Sequence, residues 1–223
     1  MIPHYSIEVS GQIPAEASFW MPSEEEYEEA ADFDGEGFGF FHDTWILEKL
    51  TSAEAAAIVR EERELLPLVD RYSSTPEQFE ETVSSLENPD LPDCQPRRLW
   101  GTPLWGQIVD PTGGSVEPRF GGLEFGVAGL SFALNSLGFV PVASCRAHFG
   151  QSWADSPVVF FAAPRVGAQW LQPLVERTGC GFDIDSFDRP QFLATVAPSI
   201  AHSIALAEAV LMDASNAPRI SFG

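Results

Sequence analysis

A thiol, a guanidinium and an imidazole lie within four positions of one another, at Cys145, Arg146 and His148. Cys145 is the last residue of the uncharged stretch 138–145, and Arg146 and His148 follow it. Residues 139–145 are predicted to form a strand. Ligand sites in α/β proteins favour the carboxyl ends of strands. This segment is therefore the strongest candidate for a functional site.

Two chemical interpretations of the segment involve the thiol. As a nucleophile, Cys145 would be activated by the neighbouring Arg146, and His148 would serve as the base. As a metal site, the Cys-x-x-His spacing supplies two ligands, whereas zinc usually needs another pair. Neither Cys180 nor His202 has a second ligand beside it in the sequence. Cys145 and His148 are the catalytic candidates.

A binding role needs only Arg146 and His148, which together could hold a carboxylate or a phosphate. We prefer this interpretation. The predicted ligand site is completed by polar and aromatic residues of the same half or of the preceding segment: Gln151, Asp155, Trp100, Trp105 and Trp153. The alternative without any ligand is a buried structural cysteine, with Arg146 paired to Glu124 or Asp155.

Asp183 and Asp185 are two positions apart, so on a strand both carboxylates would project from one face and could hold Mg²⁺. Alternation of apolar and acidic residues is also typical of any half-exposed strand. These two residues are only weak metal candidates, and we predict neither a metal nor a cofactor. The sequence lacks the common glycine-rich nucleotide-binding and hydrolase motifs.

The charge of the chain limits its partners. It has 33 acidic and 12 basic side chains, a net charge of −21, which repels nucleic-acid phosphates and anionic lipid. We expect neither nucleic acid nor membrane as a partner. Residues 1–100 carry a net charge of −17 and residues 101–223 only −4. An acidic first half favours a basic protein partner, although a saline cytoplasm would select the same composition.

The cysteines and the N-terminal residues indicate a reducing compartment. Cys94, Cys145 and Cys180 are odd in number and widely spaced. Residues 1–20 have neither the basic nor the apolar region of a secretory leader. We expect a cytoplasmic protein. The uncharged stretch 125–145 is long enough to span a bilayer, but its glycines, serines and proline favour a buried helix followed by a strand.

Composition divides the chain into three segments. Residues 1–87 are predicted as an acidic, mostly helical region and residues 123–223 as an α/β core domain. The connection 88–122, rich in Pro, Gly and Trp, is expected to pack on the core with at most one short strand near 104–109.

Helix signals are clearest at two places in the first segment. Thr51 and Glu54 have the spacing of a capping box, and Pro67 should kink or end the helix that follows. Thr75 and Pro76 predict the start of a second helix. The core domain is predicted as a two-layer α/β (α+β) fold with the order α-β-β-α-β-β-α.

Two functions remain open from the sequence. The first is a non-catalytic acidic binding protein, of the inhibitor, immunity or accessory-subunit type, that engages a basic protein. The alternative is a small cytoplasmic enzyme or ligand sensor, with a pocket for a small anionic ligand around Cys145, Arg146 and His148. We favour the first because it explains the largest compositional feature of the chain.

Overall fold

The computed structural model describes residues 1–30, 38–41, 44–88, 96–108, 119–150, 154–184 and 192–220. The helices in this part of the chain are α1 (Glu24–Ala30), α2 (Ser52–Tyr72), α3 (Pro76–Glu87), α4 (Trp105–Ile108), α5 (Ala128–Ser136), α6 (Arg165–Thr178) and α7 (Ile200–Met212). The strands are β1 (Phe38–Phe41), β2 (Thr44–Leu47), β3 (Val140–Cys145), β4 (Val158–Ala162), β5 (Gly181–Ile184) and β6 (Leu193–Val196).

The main sheet has four strands in the order β3-β4-β6-β5, and each neighbouring pair is antiparallel. β1 and β2 form a separate antiparallel hairpin. In the main sheet, Val158 of β4 lies between Cys145 of β3 and Val196 of β6. The second half runs α5-β3-β4-α6-β5-β6-α7. The predicted α/β fold class and element order are therefore confirmed.

α5 is the central helix. Every residue from Ala128 to Asn135 is buried, and the helix packs against α2, α7 and β3. The uncharged stretch 125–145 is thus a buried helix followed by a strand, as its composition predicted. Among the residues described, no helix has both the length and the apolar character that crossing a membrane requires.

The predicted helix starts in the first half are present. The Thr51 hydroxyl accepts the Glu54 N–H at 3.3 Å, and the Glu54 carboxylate accepts the Thr51 N–H at 2.7 Å. Pro67 lies inside α2, which continues to Tyr72, so the proline does not end the helix. The lost hydrogen bond is offset by packing, because Leu65 and Val69 on either side are buried.

The connection was predicted to hold at most one short strand near residues 104–109, and the described part of that range, 104–108, contains no strand. Trp105–Ile108 form α4 instead. The Thr102 hydroxyl accepts the Trp105 N–H at 3.1 Å and donates to the Leu99 carbonyl at 2.6 Å. This side chain satisfies a donor of the first turn, which favours helix over strand.

The two halves of the sequence share one hydrophobic core. Val59 of α2 belongs to the same buried cluster as Leu134 of α5 and Leu206 of α7. α2 packs directly on both of these helices. The boundaries at 1–87, 88–122 and 123–223 stay a prediction, but the acidic helix α2 clearly forms part of the support for α5.

A buried carboxylate joins α2 to the start of α5. Glu62 has no exposed surface, and its two oxygens accept the N–H groups of Gly126 at 2.6 Å and Gly129 at 3.1 Å. A Cβ at position 129 would lie 2.3 Å from the carboxylate, so this close approach needs glycine. Burial raises the pKa of Glu62 to about 8, although the helix N–H groups favour the ionised form.

This pKa predicts that the protein becomes less stable as the pH rises. The folded state holds a proton on Glu62 up to about pH 8, whereas the ordinary carboxyl value is 4.5. Stability from this group is therefore fully present below pH 4.5 and is lost as the pH rises through 8. Between pH 6 and 9, we expect a loss of about 3 kcal/mol in the free energy of unfolding.

Urea unfolding of the wild type and of Glu62→Gln at both pH values measures this loss. The glutamine variant should be less stable at pH 6, because its amide cannot accept both N–H groups, but it should lack this part of the pH dependence. Glu64→Gln, an exposed change on the same helix, should behave like the wild type. An equal pH dependence in all three proteins would contradict the assignment.

Candidate functional site

The segment Cys145–His148 lies at the carboxyl end of β3, as predicted. Cys145 is the last residue of the strand. Ala147 then adopts a φ of 65°, in the left-handed region that residues other than glycine rarely occupy. The Tyr5 hydroxyl donates to the Ala147 carbonyl at 2.5 Å, and burial raises the Tyr5 pKa, which keeps this donor protonated. The turn is therefore fixed by a contact from the N-terminal segment.

Arg146 is buried, with only 1% of its side chain exposed. Its Nη2 lies 2.9 Å from Oε2 of Glu80 and 3.6 Å from Oε2 of Glu87. Both carboxylates come from α3, where a spacing of seven residues places them on one face. The guanidinium that was predicted to hold an anionic ligand is thus paired with carboxylates of the chain itself.

Glu124, in the turn before α5, supplies a third carboxylate. Its Oε2 accepts the backbone N–H of Arg146 at 2.7 Å, and its Oε1 lies 2.6 Å from Nε2 of His148. The other ring nitrogen of His148, Nδ1, lies 3.3 Å from Oε2 of Glu80. The imidazole therefore bridges α3 and the turn that leads into the central helix.

The guanidinium of Arg146 lies over the face of the His148 ring. Its Nη1 is 3.0 Å from Nδ1 and 3.4 Å from Nε2 of the same ring. A donor aligned with the in-plane lone pair of one ring nitrogen would be much farther from the other, so this position is above the plane. The in-plane directions of both nitrogens are left to Glu80 and Glu124.

Glu87 is the most strongly perturbed acid of the cluster. Burial raises its pKa to about 7, against the opposing effects of the Arg146 charge and the Phe125 N–H. That N–H donates to Oε1 of Glu87 at 2.8 Å. Two carboxylates therefore contact one guanidinium, a third accepts the backbone N–H of the same residue, and a partly protonated Glu87 reduces the excess of negative charge near neutral pH.

Cys145 is covered on the apolar side of the site. It is 1% exposed and packs with Val158 and Ala194 of the sheet. Its Sγ accepts the Ala147 N–H at 3.4 Å. A substrate would have to displace this packing to reach the sulfur, which weakens the support for a nucleophilic role. This environment is the one expected for a buried structural cysteine.

The other predicted site residues are scattered or undescribed. Asp155 and Asp183 are exposed. Trp100 and Trp105 contact each other, with ring centroids 6.0 Å apart. Three predicted site residues lie outside the described residues: Gln151, Trp153 and Asp185. The polar contacts of Arg146 and His148 within the described part of the chain involve glutamates instead.

Sequence reasoning missed Glu80 and Glu87, and it named Glu124 only as a possible partner of Arg146. One signal was available, since Glu80 directly follows the buried Phe79 and Glu87 directly follows the buried Leu86 in an amphipathic helix. A pair of acids so close to the apolar face of a helix indicates a buried cation opposite.

Comparison with known proteins does not extend this description. No protein-family model matches the chain, and no curated protein or solved structure is significantly similar to it. The function of this chain is therefore inferred from the geometry and charge of its own residues.

The cluster predicts that Arg146 is required for stability. Arg146→Met should lower the free energy of unfolding by about 3–5 kcal/mol, because it leaves Glu80 and Glu87 without their counter-ion. Adding Glu87→Gln should restore part of the loss, since one uncompensated carboxylate is removed. Arg63→Met is the control, because the Arg63–Glu208 pair lies at the surface, with Arg63 68% exposed.

Chemical denaturation of the four proteins at pH 7 tests this prediction. The surface control should lose less than about 1 kcal/mol. Similar losses for Arg146→Met and Arg63→Met, or no recovery in the double variant, would show that the buried guanidinium is not needed to balance the carboxylates of α3.

Proposed function

We propose that the chain is a non-catalytic binding protein, of the inhibitor, immunity or accessory-subunit type, that engages a basic protein partner through its acidic surface. The observation that carries this proposal is that basic and acidic side chains are placed differently in the structure. Of the eleven basic side chains in the described residues, six pair with glutamates or lie over aromatic rings of the chain, whereas many carboxylates face solvent. The net charge of −21 is thereby expressed largely at the surface.

The basic side chains support this in two ways. Four arginines pair with glutamates of the chain: Arg63 with Glu208, Arg98 with Glu81, Arg119 with Glu61, and Arg146 with Glu80. Two more lie over aromatic rings, with the guanidinium of Arg97 5.8 Å from the Trp100 centroid and that of Arg165 4.2 Å from the Phe19 centroid. The five other described basic side chains are exposed, but 33 acidic side chains outnumber 12 basic ones in the sequence, so the field at the surface is negative.

α1 is the most concentrated source of that field in the described chain. Glu24, Glu25 and Glu28 are exposed, whereas Tyr27 faces the protein and donates to the Leu47 carbonyl at 2.9 Å. Glu26 accepts the Ser23 N–H at 2.8 Å and so belongs to the helix cap. The tyrosine anchors the helix, and Glu24, Glu25 and Glu28 are presented to solvent.

Exposed aromatic rings could provide the apolar part of an interface. Trp100 is 55% exposed and Phe149 is 51% exposed. Both rings lie beside α3. Arg98, two residues before Trp100, pairs with Glu81 of α3, and the Phe149 N–H donates to Glu80 of the same helix. Aromatic anchors that emerge beside charged residues are typical of the energetically dominant positions in protein interfaces.

The alternative, an enzyme or ligand sensor with an anion pocket at Arg146, has weaker support. The guanidinium is 1% exposed, and an incoming carboxylate or phosphate would have to compete with Glu80 and Glu87. Glu124 would repel the same ligand. The geometry therefore favours a structural role for Arg146 and leaves binding to the outer surface.

A cytoplasmic setting is part of the proposal. Cys180 is buried as a free thiol, and Cys145 is buried as well. Burial raises the pKa of Cys180 to about 11, which keeps its thiol protonated and unreactive. Free thiols are typical of proteins from a reducing compartment.

The proposal predicts that association with the partner depends steeply on salt. Basic proteins retained from a lysate at low salt would be purified, and their association rate constants with the chain measured over a range of KCl concentrations. We expect a decrease of about tenfold or more as ionic strength rises to the physiological range. The variant Glu24→Gln/Glu25→Gln/Glu28→Gln should associate more slowly and show a weaker salt dependence.

A matched control distinguishes the effect of the α1 glutamates on association from the effect of net charge alone. The variant Glu8→Gln/Glu16→Gln/Glu64→Gln removes the same number of exposed carboxylates elsewhere and should reduce the rate less. Association that does not change with salt, or an equal effect of the two variants, would contradict the role of α1. If no basic protein is retained under any condition, the proposed class of partner is wrong.

A further inference from the structure

Three potential metal ligands converge at the end of β3. Glu124, Cys145 and His148 each offer one ligand atom, and these atoms all lie within 4.8 Å of one another. They come from three places in the chain: the turn before α5, the last residue of β3 and the loop that follows it. Carboxylate oxygen, thiolate sulfur and imidazole nitrogen are all ligands that Zn²⁺ accepts.

Each of these side chains already has a second partner that orients it. The Arg146 N–H donates to Oε2 of Glu124 at 2.7 Å, which leaves Oε1 directed toward His148. The Ala147 N–H donates to Sγ of Cys145 at 3.4 Å. Such outer contacts are the usual means by which metal ligands are held in position.

His148 has the same kind of support. Its Nδ1 lies 3.3 Å from Oε2 of Glu80, so a proton on Nδ1 would be donated to that carboxylate and Nε2 would be available as a ligand. This is the carboxylate–histidine arrangement that recurs around zinc. Arg146 does not obstruct it, because Nη1 lies over the ring face and within 3.4 Å of both nitrogens.

The charge of the cluster also favours a cation. Even without Glu87, Glu80 and Glu124 supply two carboxylates, whereas Arg146 supplies one guanidinium. A buried excess of negative charge is costly, and a divalent ion would reduce it. The paired carboxylates of α3 keep the guanidinium engaged, so it need not compete with the ion for Glu124.

We propose that Oε1 of Glu124, Sγ of Cys145 and Nε2 of His148 bind one Zn²⁺ ion. On binding, the proton of the Cys145 thiol and the proton shared between Nε2 of His148 and Oε1 of Glu124 are released to solvent, and the imidazole keeps a proton on Nδ1, where Glu80 accepts it. Glu124 and His148 are 30% and 34% exposed, so the fourth position of a tetrahedral site can be filled from solvent. The ion joins the start of α5 to the end of β3.

This site is separate from the proposed partner surface. It uses none of the exposed glutamates of α1, and its occupancy can be measured without any protein partner. Failure of the metal proposal would therefore leave the proposed function untouched. Conversely, a chain that binds zinc but retains no basic protein would contradict only the proposed function.

The first test uses the full chain after treatment with a chelator. Co²⁺ is titrated as a spectroscopic probe for zinc, because its tetrahedral complexes absorb in the visible region and its bond to thiolate gives a near-ultraviolet charge-transfer band. We expect both signals to saturate at one equivalent and to disappear when Zn²⁺ is added. Zn²⁺ should also raise the melting temperature in a concentration-dependent way.

Variants identify the ligands. Cys145→Ala should abolish the charge-transfer band, whereas Cys180→Ala and Cys94→Ala should retain it; Cys180 is buried like Cys145 and so is the matched control. His148→Gln and Glu124→Gln should lose stoichiometric binding. Glutamine at position 124 can still accept the Arg146 N–H, so this variant remains informative if circular dichroism shows that Cys145→Ala is unfolded.

Two results would overturn the proposal. One is a wild-type chain that binds neither Co²⁺ nor Zn²⁺ at one equivalent. The other is a thiolate band that survives in folded Cys145→Ala, or stoichiometric binding that survives in folded Glu124→Gln. Loss of binding in these variants, with binding retained in Cys180→Ala and Cys94→Ala, would establish the three ligands.

Discussion

The buried guanidinium of Arg146 is the constraint on which the arrangement of the C-terminal half depends. A charge with 1% exposure must be balanced locally, and the balance comes from Glu80 and Glu87 of α3. The same residue offers its backbone N–H to Glu124, at the entrance to α5. One arginine thus fixes the relative positions of α3, the central helix and the last residues of β3.

Carboxylates from the acidic half also satisfy the backbone at the start of the central helix. Glu87 accepts the N–H of Phe125, and Glu62 accepts those of Gly126 and Gly129. These N–H groups have no carbonyl partner within the helix itself, so glutamate side chains from α2 and α3 accept them instead. The acidity of the first half therefore has two components: buried glutamates that support α5, and exposed glutamates that create the surface field.

Local signals in the sequence were sufficient for the order of the elements in the C-terminal half, but not for the β1–β2 hairpin or for the site. The 3.6-residue periodicity before Gly138 and the apolar runs after it predicted α5 and the sheet, and Thr51 with Glu54 predicted the start of α2. The partners of Arg146 could not be derived in this way, because Glu80 is 66 positions away in the chain. Pairing across such a separation is decided by helix packing, which periodicity does not specify. The short helix α4 was not predicted, and the Thr102 hydroxyl supports its first turn.

The buried cluster also reaches the surface through the loop that follows β3. Glu80 accepts the N–H of Phe149 at 3.1 Å through one oxygen and binds Arg146 through the other. The Phe149 ring is 51% exposed, yet its backbone is held by a carboxylate that the guanidinium itself fixes. An aromatic side chain on a rigid support loses little conformational entropy when it is buried by a partner. The internal charge balance thus determines where the exposed Phe149 ring is held. In this way the stability of the buried cluster affects the shape of the outer surface.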